Sequence, residues 1–208
     1  EEAVRWGGPV RERLTLKDEE IRKHFLMGMF NLAMGLAPTV AAALDLSDRR
    51  RLLDLGGGPG TYAIHFCKRN PRLRAVVFDL PTTRPLAEET IARFGLDDRV
   101  AFSAGDYLEA PLPGNFDVLW MSHILHAEGT ENCRRLISRA ADVLEDGGLM
   151  VIHDFFLRAT LDGPLFPALF ALNMLLGTEA GQAYSFDQVE AMMAEAGLRD
   201  LKRIDLNA

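Results

Sequence analysis

Over residues 18–46 the apolar side chains Phe25, Met29, Leu32, Leu36 and Val40 recur three or four positions apart, the period of one helical face, and Pro38 interrupts the run. The spacing predicts two helices leading into a sheet. From Arg51 onward the pattern changes to short, continuous apolar runs: LLDL at 52–55, AVVFDL at 75–80, VAFSAGD at 100–106, FDVLWMS at 116–122 and GLMVIHDF at 148–155. Runs of this kind are expected of parallel strands covered on both faces. Between them, 62–69, 85–94 and 132–144 carry apolar residues at helical spacing, and Gly147-Gly148 is expected to stop the last helix before its strand. Strand alternating with helix predicts an α/β fold, a doubly wound and mostly parallel sheet with helices on both faces. Two further helices are expected over 164–176 and 185–196, the second opened by the capping-box pair Ser185 and Gln188, and LRDLKRIDL at 198–206 reads as a closing strand. With no internal repeat and no linker, the chain reads as one compact unit, with a helical lead-in over 1–46 and a sheet-bearing domain over 47–208.

Composition narrows what such a domain binds. The chain has 208 residues, of which 23 are basic and 30 acidic, for a net charge of −7. No basic cluster offsets that balance, so neither nucleic acid nor an anionic membrane is an expected partner. The apolar run 165–176 contains Pro167 and Asn173 and is too short to span a bilayer. Two isolated cysteines, Cys67 and Cys133, form neither a disulfide framework nor a four-ligand zinc site, and a reducing cytoplasm is the expected compartment.

Candidate chemistry gathers at the strand ends. Leu53-Asp54-Leu55-Gly56-Gly57-Gly58-Pro59-Gly60-Thr61 follows the first strand and opens a helix. Glycines there let backbone approach a ligand at the carboxyl edge of a sheet, although a plain tight turn uses them too. The spacing fits the dinucleotide fingerprint poorly: counting from Gly56, the third glycine position is Thr61, and from Gly58 it is Ala63. Asp79 ends the second strand, where a carboxylate can accept both ribose hydroxyls or simply cap the following turn. The third strand ends in Gly105-Asp106-Tyr107, an acid beside a flat ring suited to adenine, or a turn. Glycines, then Asp, then Asp-Tyr at three successive strand ends are poorly explained as chance turns.

With these segments the sequence resembles the class I S-adenosylmethionine-dependent methyltransferases, and within them the small-molecule O-methyltransferases that include plant caffeate, hydroxyindole and bacterial pigment- and polyketide-tailoring enzymes. The resemblance runs over 25–203 and rests on LLDLGGGPG, FDLP, GDYLEAPLP, FDVLWMSHILH, LEDGGLMVIHD and FDQVEAMMAEAGL. It implies a Rossmann-like methyltransferase fold, S-adenosylmethionine as cofactor with S-adenosylhomocysteine as product, no metal, and a hydroxylated small-molecule acceptor. The loop with Asp54, Gly56, Gly58 and Gly60 would hold the methionine part, Asp79 with Leu80 the ribose, and Asp106 with Tyr107 the adenine. Ser122 stands where the family often has a lysine near the cofactor.

His126, in the Leu-His pair after the fourth strand, matches the family's general base. A phenol near pKa 10 attacks a sulfonium methyl poorly unless its proton is removed, and imidazole accepts protons near neutral pH. Asp154 matches the carboxylate that holds that histidine. The resemblance places Phe25, Met29, Phe170, Asn173 and Met174 on helices covering the cleft, and His123 is a further candidate for acceptor contact. His123, His126, His153 and Asp154 are ligand types, but they have no metal-site spacing. The family's Asp-Trp after the histidine is replaced by Ala127-Glu128, and its Gly-Lys-Glu-Arg-Thr by Gly181-Gln182-Ala183-Tyr184-Ser185. Glu179 is the nearest carboxylate to stand in for the lost one. These departures keep a cofactor-binding decarboxylase or hydroxylase open as an alternative, alongside a nicotinamide-dependent oxidoreductase and a catalytically inert binding module. The family's N-terminal helical domain makes dimers; the chain opens on Glu1 and reads as an excerpt without that domain or the last strand of a seven-stranded sheet.

Overall fold

Strand β1 (Arg51–Leu55) is the centre from which the sheet grows in both directions. On one side it pairs in parallel with β2 (Arg74–Asp79), which pairs in parallel with β3 (Val100–Ala104). The chain then crosses to the other side, where β4 (Phe116–Ser122) pairs in parallel with β1 and β5 (Leu144–His153) lies beyond it, giving the order β3-β2-β1-β4-β5. The direction of winding therefore reverses between β1 and β4, the place where open α/β sheets leave a crevice at their carboxyl edge. The computed structural model describes Arg5 and residues 18–206; the rest of the expected lead-in over 1–17 lies outside the described residues.

The expected alternation is present. Helix α1 (Glu19–Ala43) precedes the sheet, α2 (Thr61–Arg69) follows β1, α3 (Arg84–Arg93) follows β2, and α4 (Thr130–Asp142) joins β4 to β5. Beyond β5 come α5 (Leu165–Gly177) and α6 (Phe186–Glu195), the latter opened by the capping box of Ser185 and Gln188. Leu52, Val77, Val118 and Trp120 of the sheet share one core with Ala37, Val40 and Ala41 of α1 and Ala63, Phe66 and Cys67 of α2.

The structure corrects four details of the sequence reading. The two lead-in helices are one: α1 runs through Pro38, because the lost backbone bond is local while Ala37, Val40 and Ala41, on both sides of it, are anchored in the core. The residues that set its period do not all face inward, since Phe25, Met29 and Leu32 are exposed and Phe30 is buried instead. Helix α4 ends at Asp142, and Gly147-Gly148 lie inside β5, with Gly147 in a left-handed turn. Residues 198–206 form no strand. Leu198 N–H bonds back to the Met193 carbonyl and Asp200 has φ 56, which breaks the extended run before it can pair. Helix α1 is also long and apolar enough to cross a membrane by length and composition, a test that the core helix of a soluble protein passes equally.

By compactness the chain divides into two units. One comprises Asp18–Met121, Val143–Val151 and Lys202–Ala208 and holds nearly all of the sheet with α1, α2 and α3. The other comprises Ser122–Asp142 and Ile152–Leu201. In it Cys133, Leu136, Ile137 and Ala140 of α4 and Val189 and Met192 of α6 are buried, and the two helices pack together.

Candidate active site

In the sheet-bearing unit the glycine loop is held from beneath by two carboxylates. Asp54, 1% exposed on β1, accepts a hydrogen bond from Ala63 N–H in the first turn of α2 at 3.2 Å. Burial pushes its carboxyl up to about 7, a rise that the Ala63 N–H opposes and neighbouring Asp79 reinforces. A side chain on Gly57 has no space, because its Cβ would lie 2.6 Å from the Asp54 carboxyl carbon. Gly60 caps α2 in the left-handed region at φ 79, which an L side chain rarely adopts. Asp79, at the end of β2, accepts from Gly58 N–H at 2.8 Å, from Leu80 N–H at 2.7 Å and from the Thr83 hydroxyl at 2.9 Å. Burial raises its carboxyl from the ordinary range, and those three donors oppose the rise. Gly56 N–H bonds to the Phe78 carbonyl, and Gly105 N–H to the Asp79 carbonyl, so the ends of β1, β2 and β3 are tied together. A Cβ on Gly58 would meet nothing within 4 Å, so the loop opens onto free space beside the Asp79 carboxylate. Asp106 is exposed and accepts from Leu108 N–H at 2.8 Å; Tyr107 is half-buried beside it.

The raised Asp54 carboxyl predicts a pH dependence. A group whose pKa rises on folding stabilises the fold below its unfolded value, and the contribution is lost as pH climbs through the folded value. The Asp54 contribution to stability, measured by urea unfolding, therefore falls between about pH 4 and about pH 7, against the opposite slope of His153, whose lowered imidazole adds stability as pH rises over much of that range. Asp54→Asn removes that contribution, read as the difference between the two pH profiles, while the part due to Asp79, whose carboxyl burial also raises, stays; an unchanged pH profile in the variant refutes the assignment.

The second unit gathers imidazoles around one carboxylate. His126 sits in the 3-10 turn Leu125–Ala127, and its Nδ1 lies 2.7 Å from Oδ1 of Asp154, just past β5. Asp154 Oδ1 also accepts from Phe155 N–H at 2.8 Å, and Oδ2 from His126 N–H at 3.3 Å. Burial works to raise the Asp154 carboxyl, but the His123 and His126 rings outweigh it and hold it well below the usual carboxylate range. His123 Nδ1 lies 3.7 Å from the same Oδ1, beyond hydrogen-bond reach. His153 pairs with the Ser122 hydroxyl at 2.9 Å, and burial, aided by His123, pushes its imidazole down to about 4, so it is neutral at physiological pH. Nearest donor atoms of His123, His126 and Asp154 lie within 4.8 Å of one another.

Aromatic rings enclose the base. Phe170 of α5 meets His126 edge-on at 4.7 Å, and Phe155 lies 4.9 Å from Phe170 and 4.8 Å from Phe166. Of the acceptor candidates, Phe170 reaches the histidine; Asn173 is exposed and Met174 half-buried further along α5, while Phe25 and Met29 are exposed on α1. Glu179 is exposed after α5, and its segment passes the base: a Cβ on Gly181 would lie 2.4 Å from the His126 carbonyl oxygen. Residues 127–128, where Asp-Trp was expected, are secured differently, with the Tyr184 hydroxyl donating to the Glu128 carbonyl at 2.7 Å and Asn132 to its carboxylate at 2.9 Å. Sequence reasoning passed over Phe155 and Phe166. Only the position of Phe155 beside Asp154 and of Phe166 one helical turn before Phe170 could have drawn attention to them.

A family model for the O-methyltransferase domain matches residues 6–199. The chain belongs to this O-methyltransferase family. Among its relatives, the 3-hydroxy-5-methyl-1-naphthoate 3-O-methyltransferase of Streptomyces sahachiroi is 32% identical over 98% of the chain and 60% of its own length. The tetracenomycin polyketide synthesis 8-O-methyl transferase TcmO of Streptomyces glaucescens is also 32% identical, over 89% of the chain and 54% of its own length. The crystal structure of human N-acetylserotonin methyltransferase in complex with SAM superposes with a TM-score of 0.88 at 28% identity, covering 100% of this chain and 62% of that one. The chain thus spans little more than half the length of these O-methyltransferases.

Proposed function

We propose that the protein is an S-adenosylmethionine-dependent O-methyltransferase acting on a hydroxylated, aromatic or polycyclic small molecule, with His126 as general base. The observation that carries this reading is the 2.7 Å contact between His126 Nδ1 and Asp154. A carboxylate on Nδ1 fixes the proton there and leaves Nε2 with a free lone pair, the tautomer a base requires. Membership of the family supplies the reaction class, and the aromatic wall of Phe155, Phe166 and Phe170, packed edge to face, suits an aromatic acceptor.

The glycine loop has the form such a cofactor needs, being open at Gly58 and backed by a half-buried carboxylate at Asp79. When bound, S-adenosylmethionine supplies an electrophilic methyl on a positively charged sulfur. In this reading Gly56, Gly58 and Gly60 with Asp54 form the methionine cradle, Asp79 and Leu80 receive the ribose, Asp106 and Tyr107 the adenine, and Ser122 is a further cofactor-binding residue. His126 Nε2 takes the acceptor hydroxyl proton as the oxygen attacks, Asp154 stabilises the resulting imidazolium, and Glu179 adds a carboxylate near that turn. The rings and His123 orient the acceptor and exclude water, which is where much of the rate gain arises. Release of S-adenosylhomocysteine separates this reaction from the decarboxylation or hydroxylation alternative.

We also take the protein to work as a cytoplasmic homodimer with a helical lead-in over 1–46 and the catalytic domain over 47–208. Leu165, Leu169, Leu172 and Leu176 form an exposed apolar stripe along α5, a surface of the kind that subunit contacts cover. Calorimetric titration with S-adenosylmethionine and with NAD tests the reading. Binding of the former, weakened at least about tenfold in Asp79→Ala as expected for loss of a charged hydrogen-bond partner, is the expected result. Preference for NAD, or no binding of S-adenosylmethionine, overturns it.

A further inference from the structure

His123 is the least comfortable residue of the cluster. It occupies the left-handed region at φ 57, uncommon for a residue other than glycine, and its buried Nδ1 has no hydrogen-bond partner. Strain and an orphaned polar atom at one residue point to a functional constraint. The reason for the orphaned nitrogen lies on Asp154. Oδ1 already accepts from His126 Nδ1 at 2.7 Å and from Phe155 N–H at 2.8 Å, which fills its two lone-pair directions. His123 Nδ1 waits 3.7 Å from that same oxygen.

We propose that His123 is a positioning residue for the base: it contends with His126 for Oδ1 of Asp154 and so governs how firmly His126 is held and over what pH range it is free to accept a proton. This rests on the reading of His126 as the base. A neutral His123 leaves the oxygen to His126. Once protonated, His123 is drawn less than about 1 Å to reach charge-assisted hydrogen-bond distance, and it does so at the expense of the His126 contact. Its charge, on a ring 5.9 Å from that of His126, also opposes a second protonation. The other titratable groups around the pair stay fixed over this range. His153, 4.7 Å from His123, is neutral above about pH 4. Cys133, which senses both Asp154 and Glu128, has its thiol pushed up to about 11 by burial, and burial likewise raises the Tyr184 phenol. Phe155, 4.6 Å from His123, carries no charge.

The test is an NMR titration of the histidine ring resonances in the wild-type chain and in His123→Gln, with His123→Asn as a second variant because asparagine tolerates the left-handed backbone. In either variant the His126 curve is expected to lie at higher pH than in wild type, with a rise in proton affinity of about 3- to 10-fold, as expected for removing a nearby like charge in a partly screened setting. The acid limb of kcat/KM moves the same way. Superimposable His126 curves in wild type and both variants overturn the proposal, since a merely space-filling His123 would lower stability without moving the titration. Unaltered methyl transfer in His126→Ala would instead refute the base assignment, and the ring titration is read independently of turnover.

Discussion

Under the proposed reaction, replacing His126 with alanine is expected to lower the rate of methyl transfer about 10²- to 10⁴-fold, the usual contribution of a positioned general base, and to leave affinity for S-adenosylmethionine unchanged. The split follows from the distinct roles of the residues. His126 belongs to the unit built from Ser122–Asp142 and Ile152–Leu201, whereas the glycine loop and Asp79 belong to the sheet-bearing unit. Steady-state kinetics with a hydroxylated aromatic acceptor, together with calorimetric titration of the cofactor, measure both quantities. The loss is expected in kcat, because a base that removes the proton during attack acts in the transition state and contributes little to ground-state binding. Turnover equal to wild type would remove His126 from the mechanism.

Gly57→Ala acts on the other half of the reaction. The new methyl would stand 2.6 Å from the Asp54 carboxyl carbon and 2.8 Å from each of its oxygens, far inside van der Waals contact. Asp54 is 1% exposed and held by Ala63 N–H, so it has no free volume in which to turn away. The loop must shift instead, and Gly58 N–H, which bonds Asp79, shifts with it. The expected cost is about 1–3 kcal/mol of stability, typical of overpacking a tight site, together with loss of measurable cofactor binding. Denaturant unfolding and calorimetry check the two parts separately. A stable variant that binds S-adenosylmethionine normally would show that the loop is not the cradle.

Much of this fold was legible from short-range pattern. The runs LLDL, AVVFDL and FDVLWMS became β1, β2 and β4 because a strand covered on both faces is largely apolar, and each run is apolar apart from one aspartate and, in the last, its closing serine. Ser185 and Gln188 became a capping box because both of its bonds close within three residues. Pro38 misled, since its local cost was outweighed by the anchoring of Ala37 and Val40 in a core the sequence does not display. The run 198–206 misled in the opposite sense: it has the composition of a strand, but a strand exists only through pairing, and Asp200 turns the chain before any partner is met.

The candidate site divides along the same line. By itself, the sequence determined the alternation of strands and helices, the glycine loop after β1 and the carboxylates at the ends of β2 and β3, because strand periodicity, turn sterics and the order of elements are properties of neighbouring residues. Only the tertiary structure decided that Asp154 meets His126 across 28 positions of chain, that Asp79 is already engaged with the loop through Gly58, and that His123 is left facing an oxygen with no room for it. Those relations depend on angles and distances of a few tenths of an ångström between segments brought together by the packing of the whole core, which no local pattern encodes.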